Sequence, residues 1–284
     1  VSAPTWLTGF IDDAAIFPPG NLPLGRAVAE HREHRSAEYA DLVGSFVVGD
    51  GKVPELIDVL DEQDHAEPLD VNVVVSGGAG AIAPSVRWAS RAPSLRLRAL
   101  EFALRDEDDL AHNARRVLTA LDAVEEDLSE VQVYVELPRW TVGTHGWLSA
   151  LDVLATAELR AKFRTGGVEA EMVPSVADLA TGIDAVLDRE LPFKCTAGLH
   201  HALGQVDATG VRQHGFLNVL VATRVCLDGG DTAAALAEER AEVLLDGIDT
   251  ETLARTRRWF TSFGSCSILE PHDDLVDLGL VEAR

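Results

Sequence analysis

The sequence predicts an α/β chain folded as a (β/α)8, TIM-like barrel. Two observations lead there. Short β-branched runs alternate with longer amphipathic stretches through the middle of the chain, at about one strand every 30 residues. The total of 284 residues is also close to the roughly 250 of such a barrel. With 46% apolar and 25% charged residues, the chain has the composition of a globular protein able to bury a sizeable core. No linker, low-complexity segment or fixed-period repeat divides it, so residues 1–284 are expected to form one barrel domain carrying an N-terminal loop–helix extension.

In chain order, residues 12–21 are expected to be a loop, because Pro18-Pro19 cannot donate to a helix or a ladder, and residues 23–39 a helix. The strands expected next are 42–48, 69–75, 97–104, 131–137, 159–164 and 192–196, each rich in residues that fit a pleated, buried surface. Between them, 53–63, 81–92, 108–126, 145–157 and 175–189 have helical periodicity. After His201 the pattern blurs. Residues 214–226 suit either a strand followed by a helix or one buried helix; 232–245 and 250–260 are helical, and 260–267 suits a last strand. Six strands are clear and one or two more are weakly marked. A barrel incomplete or irregular at its termini, or an open doubly wound sheet, is therefore the alternative, and the fold of 202–267 is not fixed by pattern alone.

A formal net charge of −23 opposes binding to nucleic-acid phosphates or anionic membranes. Arg115-Arg116 and Arg255, Arg257 and Arg258 fall in mixed-charge helical segments rather than a basic patch. The three cysteines, Cys195, Cys226 and Cys266, form no disulfide framework or CxxC pair. Residues 1–6 lack the basic-then-apolar order of a signal peptide, and no run is long enough to span a bilayer. A cytoplasmic protein with no nucleic-acid or membrane partner is expected, with assembly into a homo-oligomer left open.

Lysine is scarce, with three residues, Lys52, Lys162 and Lys194, against 21 arginines. Lys52 lies in a Gly-Asp-Gly-Lys surface turn. The other two close look-alike strands, Ala161-Lys162-Phe163-Arg164-Thr165-Gly166-Gly167 and Phe193-Lys194-Cys195-Thr196-Ala197-Gly198. Unlike arginine, lysine can lose its proton and become a nucleophile. Residues two apart on a strand share a face, so Lys162 and Arg164 point one way, as do Lys194 and Thr196. Glu101 interrupts the third strand and Glu136 closes the fourth. At the C-terminal mouth of a barrel these side chains would meet: Lys194, Lys162, Glu136 and Glu101 as candidate catalytic groups, and Arg164 as a candidate holder of a substrate anion. Thr165, Gly166, Gly167, Thr196 and Gly198 are candidate binding residues, since glycines after a strand let backbone amides approach a ligand.

His200, His201, His214 and Asn218 follow the Lys194 strand, and Asp12 lies in the Pro-Pro loop, placed to swing over the mouth. His200 and His214 could instead join Glu101 and Glu136 around a metal, although the spacing matches neither HExxH nor a finger-type site, so no metal or cofactor is assigned. His31, His34, His65, His112 and His272 sit in polar or helical surroundings and are expected at the surface. Cys195 is expected in the core, and the Ser-rich segment 262–267 to serve turn or capping chemistry. No GxGxxG, P-loop or GxSxG sequence is present.

The motifs Phe-Pro-Pro-Gly, Lys-Phe-Arg-Thr-Gly-Gly and Phe-Lys-Cys-Thr-Ala-Gly-Leu-His-His resemble those of a bacterial, actinobacterial-type family of about this length, a resemblance that implies no reaction. The segments around Lys162 and Lys194 alone are also similar to the strand-end lysines of class I aldolases of the deoxyribose-phosphate type. That similarity implies lysine-based lyase chemistry through an imine (Schiff base). His200-His201 and the Pro-Pro loop lie outside it. The expectation is a barrel enzyme acting on a small anionic, carbonyl-bearing metabolite. Lys194 would be the imine-forming nucleophile or an electrostatic stabiliser, its pKa lowered by Lys162, with Glu101 or Glu136 moving protons. A metal-assisted lyase, isomerase or hydrolase and a non-catalytic ligand-binding protein are the alternatives.

Overall fold

The computed structural model describes residues 4–63, 67–105, 108–167, 169–206 and 210–282. Its centre is a closed parallel barrel in the order β1-β10-β7-β6-β5-β4-β3-β2. The strands are β1 (Ile11–Asp13), β2 (Val43–Gly49), β3 (Leu69–Val75), β4 (Leu95–Ala103), β5 (Gln132–Glu136), β6 (Arg160–Arg164), β7 (Phe193–Thr196) and β10 (Phe260–Ser265). A separate two-stranded ribbon, β8 (Gln205–Val206) with β9 (Arg212–Gln213), follows β7. The flanking helices are α1 (Leu24–His34), α2 (Val53–Glu62), α3 (Ile82–Arg91), α4 (Leu110–Asp122), α5 (His145–Thr156), α6 (Val176–Leu187), α7 (Phe216–Leu227) and α11 (Leu269–Asp277). Three short helices, α8 (Thr232–Ala237), α9 (Ala241–Leu244) and α10 (Thr250–Thr256), lie between α7 and β10.

The barrel is complete because the segment expected to be an N-terminal extension supplies its first strand and first helix. Ile11, Asp12 and Asp13 pair with Phe263, Gly264 and Ser265 of β10, and Ile11 pairs with Val43 of β2. Two acidic residues before Pro18-Pro19 read as loop, yet both are buried and partnered: Asp12 faces the barrel interior and Asp13 accepts from His31 Nδ1 at 2.9 Å. Within 214–226 there is no strand: residues from Phe216 on form one buried helix, α7, whose apolar residues are enclosed on several sides by the barrel, α6, α8 and α10. The stretch 232–245 breaks at Glu238, whose extended backbone separates α8 from α9.

The seam where the chain ends meet is closed by aromatic packing. Phe216 stacks on Phe263 at 4.9 Å and Phe193 on Phe260 at 5.2 Å, with Phe10 edge-on to Phe260 and Phe263. In β4 the register against β3 passes from Val71↔Leu97 to Asn72↔Ala99, so Arg98 is an inserted residue. Such a bulge re-aims the strand beyond it. Two histidines expected at the surface are buried, His31 against Phe46 and His272 against Tyr39; His34 is half-buried and His112 exposed. His65 lies outside the described residues. Among the described residues no helix is long and apolar enough to cross a membrane.

Candidate active site

The parallel registers place the charged residues of neighbouring strands side by side. Glu136 lies opposite Lys162, and Lys162 opposite Lys194. Glu101 bridges the two amines: its Oε1 accepts from Lys194 Nζ at 2.6 Å and its Oε2 from Lys162 Nζ at 3.1 Å. Lys162 also pairs with Glu136 Oε2 at 3.0 Å, and Arg164 Nε donates to Glu136 Oε1 at 3.0 Å. At the other end Lys194 donates to Asp12 Oδ2 at 2.6 Å, an oxygen that also accepts from Ser262 Oγ at 2.8 Å. The result is an alternating column, Asp12–Lys194–Glu101–Lys162–Glu136–Arg164, running up the barrel interior.

Alternation sets the protonation states. Burial favours the neutral acid at Glu101, but the Lys194 and Lys162 charges outweigh it and hold the carboxyl down at about 2. Glu136 is likewise lowered against its burial by Lys162 and Arg164. For Lys194, burial favours the neutral amine, yet Asp12 and Glu101 reverse this and the pKa rises. The expectation that Lys162 would depress Lys194 therefore fails, because a carboxylate stands between the two ammonium groups.

A cavity of about 280 Å³ opens at the C-terminal ends of the strands, lined by Lys162, Arg164, Gly167, Thr196, His200 and Cys266 among others. Lys194 does not line it; its side chain is 1% exposed and sealed between Asp12, Glu101 and the Tyr134 ring, 5.3 Å away. Arg164 stands at the rim with 42% of its side chain exposed. A further cavity, of about 730 Å³, opens at the opposite end, where Asp12, Tyr134 and Ser262 form part of its lining. In barrels of this kind the chemistry sits at the C-terminal face, and the smaller cavity is there.

Other expected site residues have structural partners. Thr165 is buried and its Oγ1 donates to Ala197 O at 2.6 Å, tying the loop after β6 to the loop after β7. Gly166 and Gly198 allow those loops to touch: a Cβ on Gly166 would stand 2.7 Å from Gly198 Cα. Their lack of a Cβ serves this loop crossing. His201 meets Asp274 at 3.2 Å. His214 is buried with Nε2 2.8 Å from Pro174 O, and burial lowers its pKa. Asp12 is a strand residue inside the barrel and does not swing over the mouth.

Asn218, completely buried, accepts from Gly204 N and donates to the carbonyls of Ala235 and Glu238, which fastens the ribbon and α8 to α7. Asn218→Ala is expected to cost roughly 3 kcal/mol of unfolding free energy as these backbone groups lose their partner. Urea denaturation measures the loss.

The alternative metal set is dispersed as well. Glu101 and Glu136 spend their oxygens on cations, His214 is held by Pro174, and the described residues contain no His/Cys/Asp/Glu group arranged to hold a metal ion. Three contributors were not among the expected site residues: Ser262, which looked like turn chemistry, Tyr134, and Cys266. Only their strand positions could have marked them: Tyr134 opposite Glu101, Ser262 in β10 beside β7, and Cys266 just past the end of β10.

Fold and site together define a (β/α)8 barrel with a buried lysine–carboxylate column, of which Lys162, 2% exposed, and Arg164 line the cavity at the C-terminal ends of the strands. Among solved structures, a deoxyribose phosphate aldolase from Aeropyrum pernix, described as having a unique tetrameric structure, is similar in fold. It shares 10% identity at a TM-score of 0.56, over 97% of this chain and 93% of that one. No protein-family model and no curated protein matches the sequence, so the expected bacterial family gains no support.

Proposed function

We propose that the protein is a lyase of class I aldolase type, in which Lys162 forms an imine with the carbonyl group of a small anionic metabolite. One observation carries this reading: of the two lysines sharing Glu101, Lys162 lines the C-terminal cavity and Lys194 is sealed beneath it. The nucleophile is thus moved from Lys194, the residue first expected, to Lys162.

To react, Lys162 must release a proton, and Glu136, the carboxylate nearer the rim, is the acceptor. Nζ then adds to the carbonyl carbon, and Glu136 returns its proton to the departing oxygen, so that loss of water leaves an iminium ion beside an ionised Glu136. That ion carries the same charge at the same place as the ammonium it replaces. Glu101 and Glu136, held ionised, face it without rearrangement. The cationic nitrogen draws in the electron pair as the bond between the α and β carbons of the substrate breaks, the β-hydroxyl giving its proton to Glu136 and its carbon leaving as a carbonyl compound. Lys194, kept charged by Asp12 and Glu101, fixes the orientation of Glu101. Arg164 offers its exposed N–H groups to a substrate carboxylate or phosphate.

The test is incubation with small hydroxy-aldehydes and hydroxy-ketones, with and without phosphate, followed by borohydride reduction and intact mass measurement. A covalent gain of one reduced carbonyl compound supports the reading, and no gain with any of them contradicts it. The charge balance of the column favours a second reading, a non-catalytic binding protein with structural ion pairs; the same reduction separates the two. Homo-oligomer assembly belongs to the proposal because the structural neighbour is described as tetrameric, and sedimentation of the purified chain measures it.

A further inference from the structure

The mouth contains a second reactive constellation that the lysine chemistry does not use. Cys266 is the first residue after β10, His200 lies four residues beyond the end of β7, and Glu270 is the second residue of α11. His200 Nε2 is 3.9 Å from Cys266 Sγ, and His200 Nδ1 is 2.9 Å from Glu270 Oε2. An ionised carboxylate only accepts, so Glu270 fixes the tautomer with hydrogen on Nδ1 and leaves the Nε2 lone pair facing sulfur. This is the order nucleophile, base, orienting carboxylate. Cys266 and His200 both line the cavity that Lys162 lines.

The backbone is shaped for this meeting. Ala197 and Gly198, between β7 and His200, take positive φ, +62° and +78°. The backbone amides of Gly20 and of Cys266 itself favour the thiolate, against burial. Gly20 can approach because it lacks a Cβ, which would stand 3.0 Å from Cys266 Cβ and 2.7 Å from Ala15 O. Burial pushes the Cys266 thiol up, and Glu270 and Asp13 act in the same direction. The resting sulfur therefore keeps its proton, and His200 is placed to take it during attack rather than beforehand.

We infer that Cys266, His200 and Glu270 form a second nucleophilic centre, at which the Cys266 thiol adds reversibly to the carbonyl carbon of a small aldehyde. The S–C bond forms as the carbonyl π pair moves onto oxygen. The S–H proton passes to His200 Nε2 and then to the alkoxide, giving a hemithioacetal. Atoms and electrons balance with no oxidant, reductant or leaving group. The volume of about 280 Å³, shared with the Lys162 and Arg164 side chains, limits the partner to a small molecule. Cys195, wholly buried, and Cys226, on α7, are not among the residues lining this cavity.

The test is alkylation of the native protein by iodoacetamide at neutral pH, followed by peptide mapping, with Cys195 and Cys226 as internal references. Cys266 should react first, and His200→Asn should slow it about tenfold through loss of the base, with the urea midpoint of the variant confirming its fold. Glu270→Gln should move the pH of half-maximal alkylation, and Glu270→Asp should restore it. In the Lys162→Arg protein, where no imine can form, acetaldehyde should protect Cys266 from alkylation. An unchanged rate in folded His200→Asn, or no protection by acetaldehyde in Lys162→Arg, overturns the inference. Failure of borohydride trapping in the unaltered protein would overturn the lyase reading alone.

Discussion

Lys162→Arg is expected to abolish borohydride trapping and to lower carbon–carbon bond cleavage by about 10⁴-fold, roughly 5 kcal/mol of barrier. Arginine keeps a positive charge against Glu101 and Glu136, so the column should stay neutral and the barrel folded, but its guanidinium cannot lose a proton to become a nucleophile. The loss should therefore fall on turnover and leave the urea midpoint near its original value. The assay is cleavage of whichever carbonyl compound the trapping experiment identifies. Retention of turnover in Lys162→Arg would show that the reaction uses another group.

Glu101→Gln is expected to have the largest effect on stability. Both oxygens of this carboxylate hold a buried ammonium, and its neutral amide would leave Lys162 and Lys194 facing each other with one fewer counter-charge. Breaking a buried charge network from one side costs about 3–5 kcal/mol. The pH dependence has a definite sign. The carboxyl is held at about 2 in the folded chain against 4.5 when free, so the stability it contributes is fully present above about 4.5. That stability is lost as pH falls from there toward 2, and the shift corresponds to about 3 kcal/mol. Urea denaturation at successive pH values should show this acid limb in the unaltered protein and a flatter one in Glu101→Gln. An equally steep limb in the variant would place the effect on other carboxylates.

Much of the barrel could be read from the chain because its strands are locally consistent. Residues 69–75 were expected as a strand and are one, and the period-two spacing of Lys162 with Arg164 correctly puts them on one face. The first strand was hidden by its chemistry. Ile-Asp-Asp is too short for periodicity, and buried acids are legible only once their partners, Lys194 and His31, are known. The same limit governs the site. Buried His214 and Asn218 look like ligand residues in sequence, whereas in space backbone groups engage the His214 Nε2 and the Asn218 amide. Gly166 and Gly198 look like an anion cradle, and they are small because two loops cross there. Sequence spacing assigns a face but not a depth, so it cannot distinguish Lys162 at the mouth from Lys194 beneath it.

That difference in depth is the central claim, and it is tested most directly by locating the adduct. After borohydride reduction in the presence of a carbonyl compound that trapping has identified, proteolysis and mass spectrometry should find the added mass on the peptide containing Lys162, with Lys194 unmodified. An adduct on Lys194 would contradict the account, because it would require the sealed Asp12–Lys194–Glu101 contacts to open before any chemistry began.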